Sequence, residues 1–400
     1  MSALFLLCSA YSWGQVNNHR LDSLKQFRSD PPVPESKSVG LRASIDNHTD
    51  LGDGFFLLNA SIDANNSVVG LKINSDQLAA LSAEATFYAE FQGITKNVYG
   101  KFKDDFDFIF YVLDKDESAI INNLGFYGIN LGVSNAVSGL GQSIYSNTSA
   151  WGSAGKLQSV MYLPAYDLIA GGPALHEIAH NWAAYICPTY DQNGNPYGGH
   201  WGISNAGGQL GGFRHARLVE TDVDGVPGKN KYQASMSPDT NADGSYKYPG
   251  FGPNANGGNG LPYSDIEIYL MGMKSAQELK DAGFTLDIYS GNSSIENDFW
   301  NDGYFYSTQK TSYNIDDLIA LNGNGPRTPD AGASQKQFKL LTVVLTDETN
   351  EHYADIIDHV NWFAGPENDN TYPWLYNFSR ATGGKGSILA DGVKNTPLVE

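Results

Sequence analysis

The chain has 400 residues, 41% of them hydrophobic and 12% aromatic, which is enough apolar surface for a sizeable core and excludes a disordered protein. Its formal net charge of -19 argues against nucleic acid or an anionic membrane surface as the main partner, because both repel an acidic chain. Charged residues are only 17% while glycines number 44 and tyrosines 23, a balance that favours loop-rich surfaces over long salt-bridged helices.

Residues 3–10 are a short apolar run followed by small and polar residues, the pattern of a signal-peptide core and cleavage zone, although no Lys or Arg precedes it. Residues 1–14 are accordingly expected to be a signal peptide, and the mature protein to be secreted or extracellular, with periplasmic or cell-surface placement as variants. With Cys8 in the leader, Cys187 is left single and no internal disulfide is expected. Residues 15–40 contain Pro31-Pro32-Val33-Pro34 and read as a linker or pro-segment. No later segment approaches 18 uninterrupted apolar residues, so no membrane span is expected.

Short alternating runs bounded by Asp, Asn and Gly mark 41–76 as an N-terminal β-rich region. Apolar residues three and four apart predict a long helix over 77–104, kinked near Gly93, and apolar runs predict strands at 106–113, 126–133 and 157–163. A Gly- and Asn-rich stretch over 188–260 is too long to be a simple connection. A helix follows from about Ser264, then a strand over 338–345 and an amphipathic helix over 353–363. The expected class is α+β: a mixed twisted sheet with a backing helix, a catalytic core over 77–290 and a C-terminal α/β subdomain over 291–400.

Gly171-Gly172-Pro173-Ala174-Leu175-His176-Glu177-Ile178-Ala179-His180 contains His-Glu-x-x-His at the start of a predicted helix. Residues four apart lie one turn from each other, so His176 and His180 can present imidazoles to one point. Zinc accepts neutral imidazole, and an open catalytic site needs three protein ligands, so a third ligand must come from elsewhere. Glu177 is directed beside such a metal rather than onto it and can act as general base towards water.

At this point the chain resembles the zincin superfamily, and more narrowly secreted bacterial metallopeptidases that combine His-Glu-x-x-His with a downstream His-Trp-Gly and a Tyr-Leu-Met-Gly segment. Here these are residues 176–180, His200-Trp201-Gly202 and Tyr269-Leu270-Met271-Gly272. The resemblance covers roughly 80–290 and implies a sheet whose edge strand lines a substrate cleft above the active-site helix, a role that falls to 157–163. It also implies peptide-bond hydrolysis on a protein or peptide substrate. Ala183 and Ile186 stand where the metzincin pattern has Gly and His, so a typical metzincin is disfavoured.

For the third ligand His200 stands slightly ahead of Glu267, whose place on a later helix would match a gluzincin; Asp265 and Glu220 trail behind. Tyr263, Tyr269 and His215 are candidate oxyanion donors, none of them assigned, and Met271 is either a floor beneath the metal or ordinary core. Asp239-Thr240-Asn241-Ala242-Asp243-Gly244 resembles the start of a calcium loop, but its twelfth position is Gly250, so an Asx-rich turn is preferred and Ca²⁺ is a secondary candidate after Zn²⁺. The rival reading is a surface adhesion or glycan-binding protein on a zincin-derived scaffold, motivated by the aromatic, Asn and Gly residues of 188–260 and 286–330.

Overall fold

The computed structural model describes residues 48–58, 63–65, 67–116, 119–214, 218–222, 230–234, 239–240, 246–247, 258–295, 299, 303–323, 325–346, 352–391 and 393. The signal peptide and linker expected over 1–40, His215, and positions 241–245 and 250 of the calcium-like loop lie outside them. The described residues within 33–136, 144–181 and 336–400 form one compact unit, and those within 137–143 and 182–335 form another. Among the described residues no helix is long and apolar enough to cross a membrane.

The first unit is built on an eight-stranded mixed sheet: β1 (His48–Gly52), β2 (Phe55–Leu58), β3 (Val68–Lys72), β4 (Phe108–Leu113), β5 (Ile129–Gly132), β6 (Ser159–Leu163), β7 (Gln337–Thr346) and β8 (Ser387–Leu389). The order is β1-β2-β3-β7-β4-β6-β5, with β8 parallel to the start of β7. The four strands β3, β7, β4 and β6 run parallel, and β5 is antiparallel at one edge. β4 reads Phe-Ile-Phe-Tyr-Val-Leu and every residue is buried, as a parallel strand covered on both faces requires.

That cover comes from α1 (Ser75–Leu81), α2 (Phe87–Tyr99), α3 (Ala174–Ala179) and α4 (Tyr353–Phe363). Phe91 of α2 stacks on Tyr111 at 4.8 Å and lies 4.7 Å from Tyr162. Successive strand residues face opposite ways, so Phe110 instead meets Phe363 of α4, at 6.0 Å. The result is mixed α/β, with helices on both sheet faces.

Two buried aspartates bracket β4. Asp107 accepts from the Lys339 backbone N–H at 2.8 Å and pairs with Lys156 at 2.9 Å; Asp114 accepts from the His352 backbone N–H and the Thr346 hydroxyl at 2.8 and 3.0 Å. Both ends of β4 are thereby tied to β7 and its continuation.

Three expectations need revision. The helix expected over 77–104 is two helices broken at 82–86, not kinked at Gly93. Ser82 turns its hydroxyl back to the Leu78 carbonyl at 2.6 Å and Thr86 bonds the Ala80 carbonyl at 2.7 Å, local bonds that compete with helix continuation, whereas Gly93 borders open space inside α2. The strand before the motif, β6, is not the edge: its five residues are all buried and pair with β4 on one side and β5 on the other. The edge is β5, whose Ile129, Asn130 and Gly132 are only half-buried. Finally β7, which falls in the range expected to form a C-terminal subdomain, lies between β3 and β4 in the main sheet.

The second unit carries a four-stranded antiparallel sheet in the order Ser293–Ser294, Tyr304–Ser307, Asn230–Ala234, Leu218–Asp222, and a separate pair, Leu286–Ser290 with Gln309–Tyr313. Its core gathers Tyr232, Tyr289, Phe299 and Phe305 with Ile203 and Phe213. Two of the strands therefore arise inside the stretch that showed little apolar periodicity.

Phe91→Ala should destabilise the protein by roughly 3–5 kcal/mol, because a buried ring against two others leaves a cavity; urea denaturation measures this, and a loss under about 1 kcal/mol would refute the packing described. His359 of α4 is 2% exposed, with Nδ1 3.2 Å from the Tyr166 carbonyl oxygen. Burial lowers its pKa, opposed by that carbonyl and by Asp167, Asp355 and Asp358. The unfolded chain then binds the proton more readily, so this contribution to stability is complete above the unfolded value of about 6.5 and is lost as pH falls below it. The difference in urea midpoint between wild type and His359→Gln should accordingly shrink from pH 8 to pH 5.5; a constant difference would show that His359 does not titrate with unfolding.

Candidate metal site

β6 passes through a turn at Tyr166–Leu168 and through Gly171-Gly172-Pro173 into α3. Gly172 adopts φ +97°, a left-handed conformation that a side chain would strain, and Pro173 takes the N-cap. α3 is only six residues long, all six are buried, and His180 is its C-cap. A helix this short has little stability of its own and depends on packing. Its four-residue spacing sets the His176 and His180 rings nearly perpendicular at 82°, with their Nε2 atoms 3.1 Å apart.

The third imidazole sits in a loop held at several points. Gly199 and Gly202 have φ of +83° and +57°, and a Cβ on Gly202 would lie 2.2 Å from the Tyr190 carbonyl oxygen, so only glycine fits there. Around them the backbone bonds run Gly199 to Ala184, His200 to Tyr197, Trp201 to Leu210 and Ile203 to Tyr190, at 3.3, 3.3, 2.8 and 2.8 Å. His200 itself is 4% exposed and lies against the Tyr197 ring at 5.2 Å.

His176, His180 and His200 form one cluster, two of them buried and His180 half-buried, each offering a ligand nitrogen, with these nitrogens all within 4.8 Å of one another. Ligands about 2.0–2.1 Å from a tetrahedral ion lie about 3.3 Å apart, so the 3.1 Å Nε2 pair already has the separation of two ligands on one ion. Three convergent imidazoles and no thiolate suit zinc or a neighbouring first-row metal.

Glu177, between His176 and His180, is 3% exposed. Gly128, just before β5, is so close that a Cβ there would fall 2.7 Å from Pro173 Cγ and 3.1 Å from Glu177 Cγ, and Asn130 Nδ2 donates to the Glu177 carbonyl at 2.5 Å. The edge strand thus abuts the motif helix. Burial pushes the Glu177 carboxyl up to about 8, opposed by the Asn130 backbone N–H. A cation held by the neighbouring histidines acts in the same direction as that N–H.

Glu267 lies outside the cluster. It is fully buried in the helix Asp265–Leu270, where it accepts from Trp201 Nε1 and the Leu210 backbone N–H through Oε1, at 3.0 and 2.8 Å, and from the Gln209 and Ser264 backbone N–H groups through Oε2, at 3.0 and 2.8 Å. Asp265 is exposed and paired with Lys274 at 2.7 Å, and Glu220 lies exposed on a strand. Of the oxyanion candidates, Tyr263 is buried beside Glu267, and the Tyr269 hydroxyl accepts from the Arg327 backbone N–H at 3.2 Å.

Sequence reasoning missed Arg327, which packs against the Tyr-Leu-Met-Gly segment. Its Nε donates to the Leu270 carbonyl at 2.6 Å, and a Cβ on Gly272 would lie 2.6 Å from its Nη1, so Tyr269, Leu270 and Gly272 together seat one buried arginine. Met271 is buried beside them. The missed signal was compositional: a Gly directly after an apolar helix end leaves room for a bulky partner, though not its identity.

Comparison with protein-family models, with curated proteins and with solved structures finds no match to this chain.

Zinc added at 100 times its dissociation constant should stabilise the protein by about 2.7 kcal/mol, seen as a rise in Tm, and His176→Ala, His180→Ala or His200→Ala should each abolish the rise. Because imidazole ligates only when neutral, the stabilisation should weaken as pH falls. A Tm insensitive to zinc, cobalt and nickel would exclude the cluster as a metal site.

Proposed function

We propose that the chain is a secreted zinc-dependent peptidase of the zincin type, with zinc held by His176, His180 and His200 and with Glu177 as general base. The observation that carries this reading is the convergence of the three imidazoles on one point, with a buried carboxylate one residue after the first of them. Zinc held there supplies Lewis acidity towards a peptide carbonyl and towards water. Glu177 takes a proton as the water oxygen bonds to the carbonyl carbon, and gives it to the nitrogen as the C–N bond breaks. Its place on the same helix turn as His176 and His180, buried and between them in sequence, supports both roles.

Substrate placement follows from the edge strand. Among the described residues β5 has no strand on its outer side in the main sheet, and its first residues lie against α3. An extended peptide added antiparallel or parallel to β5 would gain main-chain hydrogen bonds beside Glu177, the recognition mode open to any exposed sheet edge. β5 takes the part first expected of 157–163.

Glu177→Ala should keep zinc stoichiometry and affinity within a few-fold while casein cleavage falls by at least about 10³, as removal of a general base requires. Zinc content by metal analysis and release of labelled casein peptides read the two separately. Wild-type protein that binds zinc yet cleaves neither casein nor a peptide library would overturn the peptidase reading and favour the adhesion or glycan-binding alternative.

A further inference from the structure

We infer that Glu267 is a positioning residue for the third ligand, fixing the His200 loop through Trp201 without touching the metal. Both carboxylate oxygens are fully engaged as acceptors: Oε1 by Trp201 Nε1 and Leu210 N, Oε2 by Gln209 N and Ser264 N. Four N–H donors and a side chain at 0% exposure leave the group one workable state, the anion, because a carboxylic O–H would point at a donor. Burial raises its pKa, and the same N–H groups oppose that rise.

The arrangement spans 66 residues of sequence yet reaches the neighbour of the ligand directly. Trp201 is 0% exposed and follows His200; its indole is held by Glu267, and its backbone N–H donates to Leu210, whose own N–H is held by the same carboxylate. The loop is therefore closed on itself at both faces of Trp201. Gly208 is part of the device, since a Cβ there would fall 2.0 Å from Glu267 Oε2. A loop containing Gly198, Gly199 and Gly202 has high intrinsic freedom, and this carboxylate removes it where the imidazole must be aimed.

That role presupposes that the three imidazoles hold a metal, so the test measures metal binding and not turnover. Glu267→Gln keeps shape, but in either amide orientation its NH₂ faces two N–H donors. Trp201→Phe keeps an aromatic ring but removes the bonded N–H together with part of the buried ring volume, and serves if Glu267→Gln does not fold. The full chain is titrated with zinc against a competing chelator, and with cobalt for the absorption bands that report ligand geometry; urea denaturation without added metal reads stability separately. Both variants should bind zinc about 10–100-fold more weakly and shift the cobalt bands, with Trp201→Phe adding little in the Glu267→Gln background. Variants with lowered stability but wild-type zinc affinity and cobalt spectrum would mean that Glu267 only supports the fold, and would overturn the inference. Wild-type protein that binds neither metal would instead overturn the metal-site reading, and this role with it.

Discussion

Three imidazoles do not gather of their own accord: each prefers water, none attracts another strongly, and burying polar rings costs free energy unless each finds a partner. The fold meets that constraint by two unlike means. For His176 and His180 it uses a rigid period, one turn of α3, so that a single backbone conformation sets the 3.1 Å separation. For His200 it uses a flexible backbone with its freedom removed by glycine geometry, backbone bonds and the buried Trp201.

α3 can be short because it does not have to be stable alone. β4, β6 and β7 form a closely packed base, covered by aromatic rings on both faces and tied at each end of β4 by a buried aspartate. The chain leaves that base at Leu163, the end of β6, and reaches Ala174 of α3 after ten connecting residues. Little slack separates the sheet from His176. Precision at the site is thus inherited from the core rather than generated locally.

Most of the elements were legible in the sequence because their signals are local. The continuous apolar runs of β4, β6 and β7, the amphipathic spacing of α4 and the His-Glu-x-x-His pattern each sit within about a dozen residues. What was not legible depends on long separations. His200 and Glu267 are equally good ligands by residue type, and what distinguishes them is the set of donors that occupies Glu267, all but Ser264 lying 57 to 66 residues away. Arg327 meets Leu270 across 57 residues, and no motif announces it. The break between α1 and α2 was hidden for the opposite reason: Ser82 and Thr86 are ordinary in helices, and only their bonds back to Leu78 and Ala80 end the turn.

The edge strand β5 also carries a hazard. An unpaired strand edge offers its N–H and C=O groups to any extended chain, including another molecule of the same protein. Here it is four residues long, preceded by Gly128 and ending on Gly132, where an added Cβ would collide with Pro173 and with the Tyr145 hydroxyl. Brevity makes it a poor template for long pairing with another copy, while the two glycines let the chain lie close to Pro173 and Tyr145.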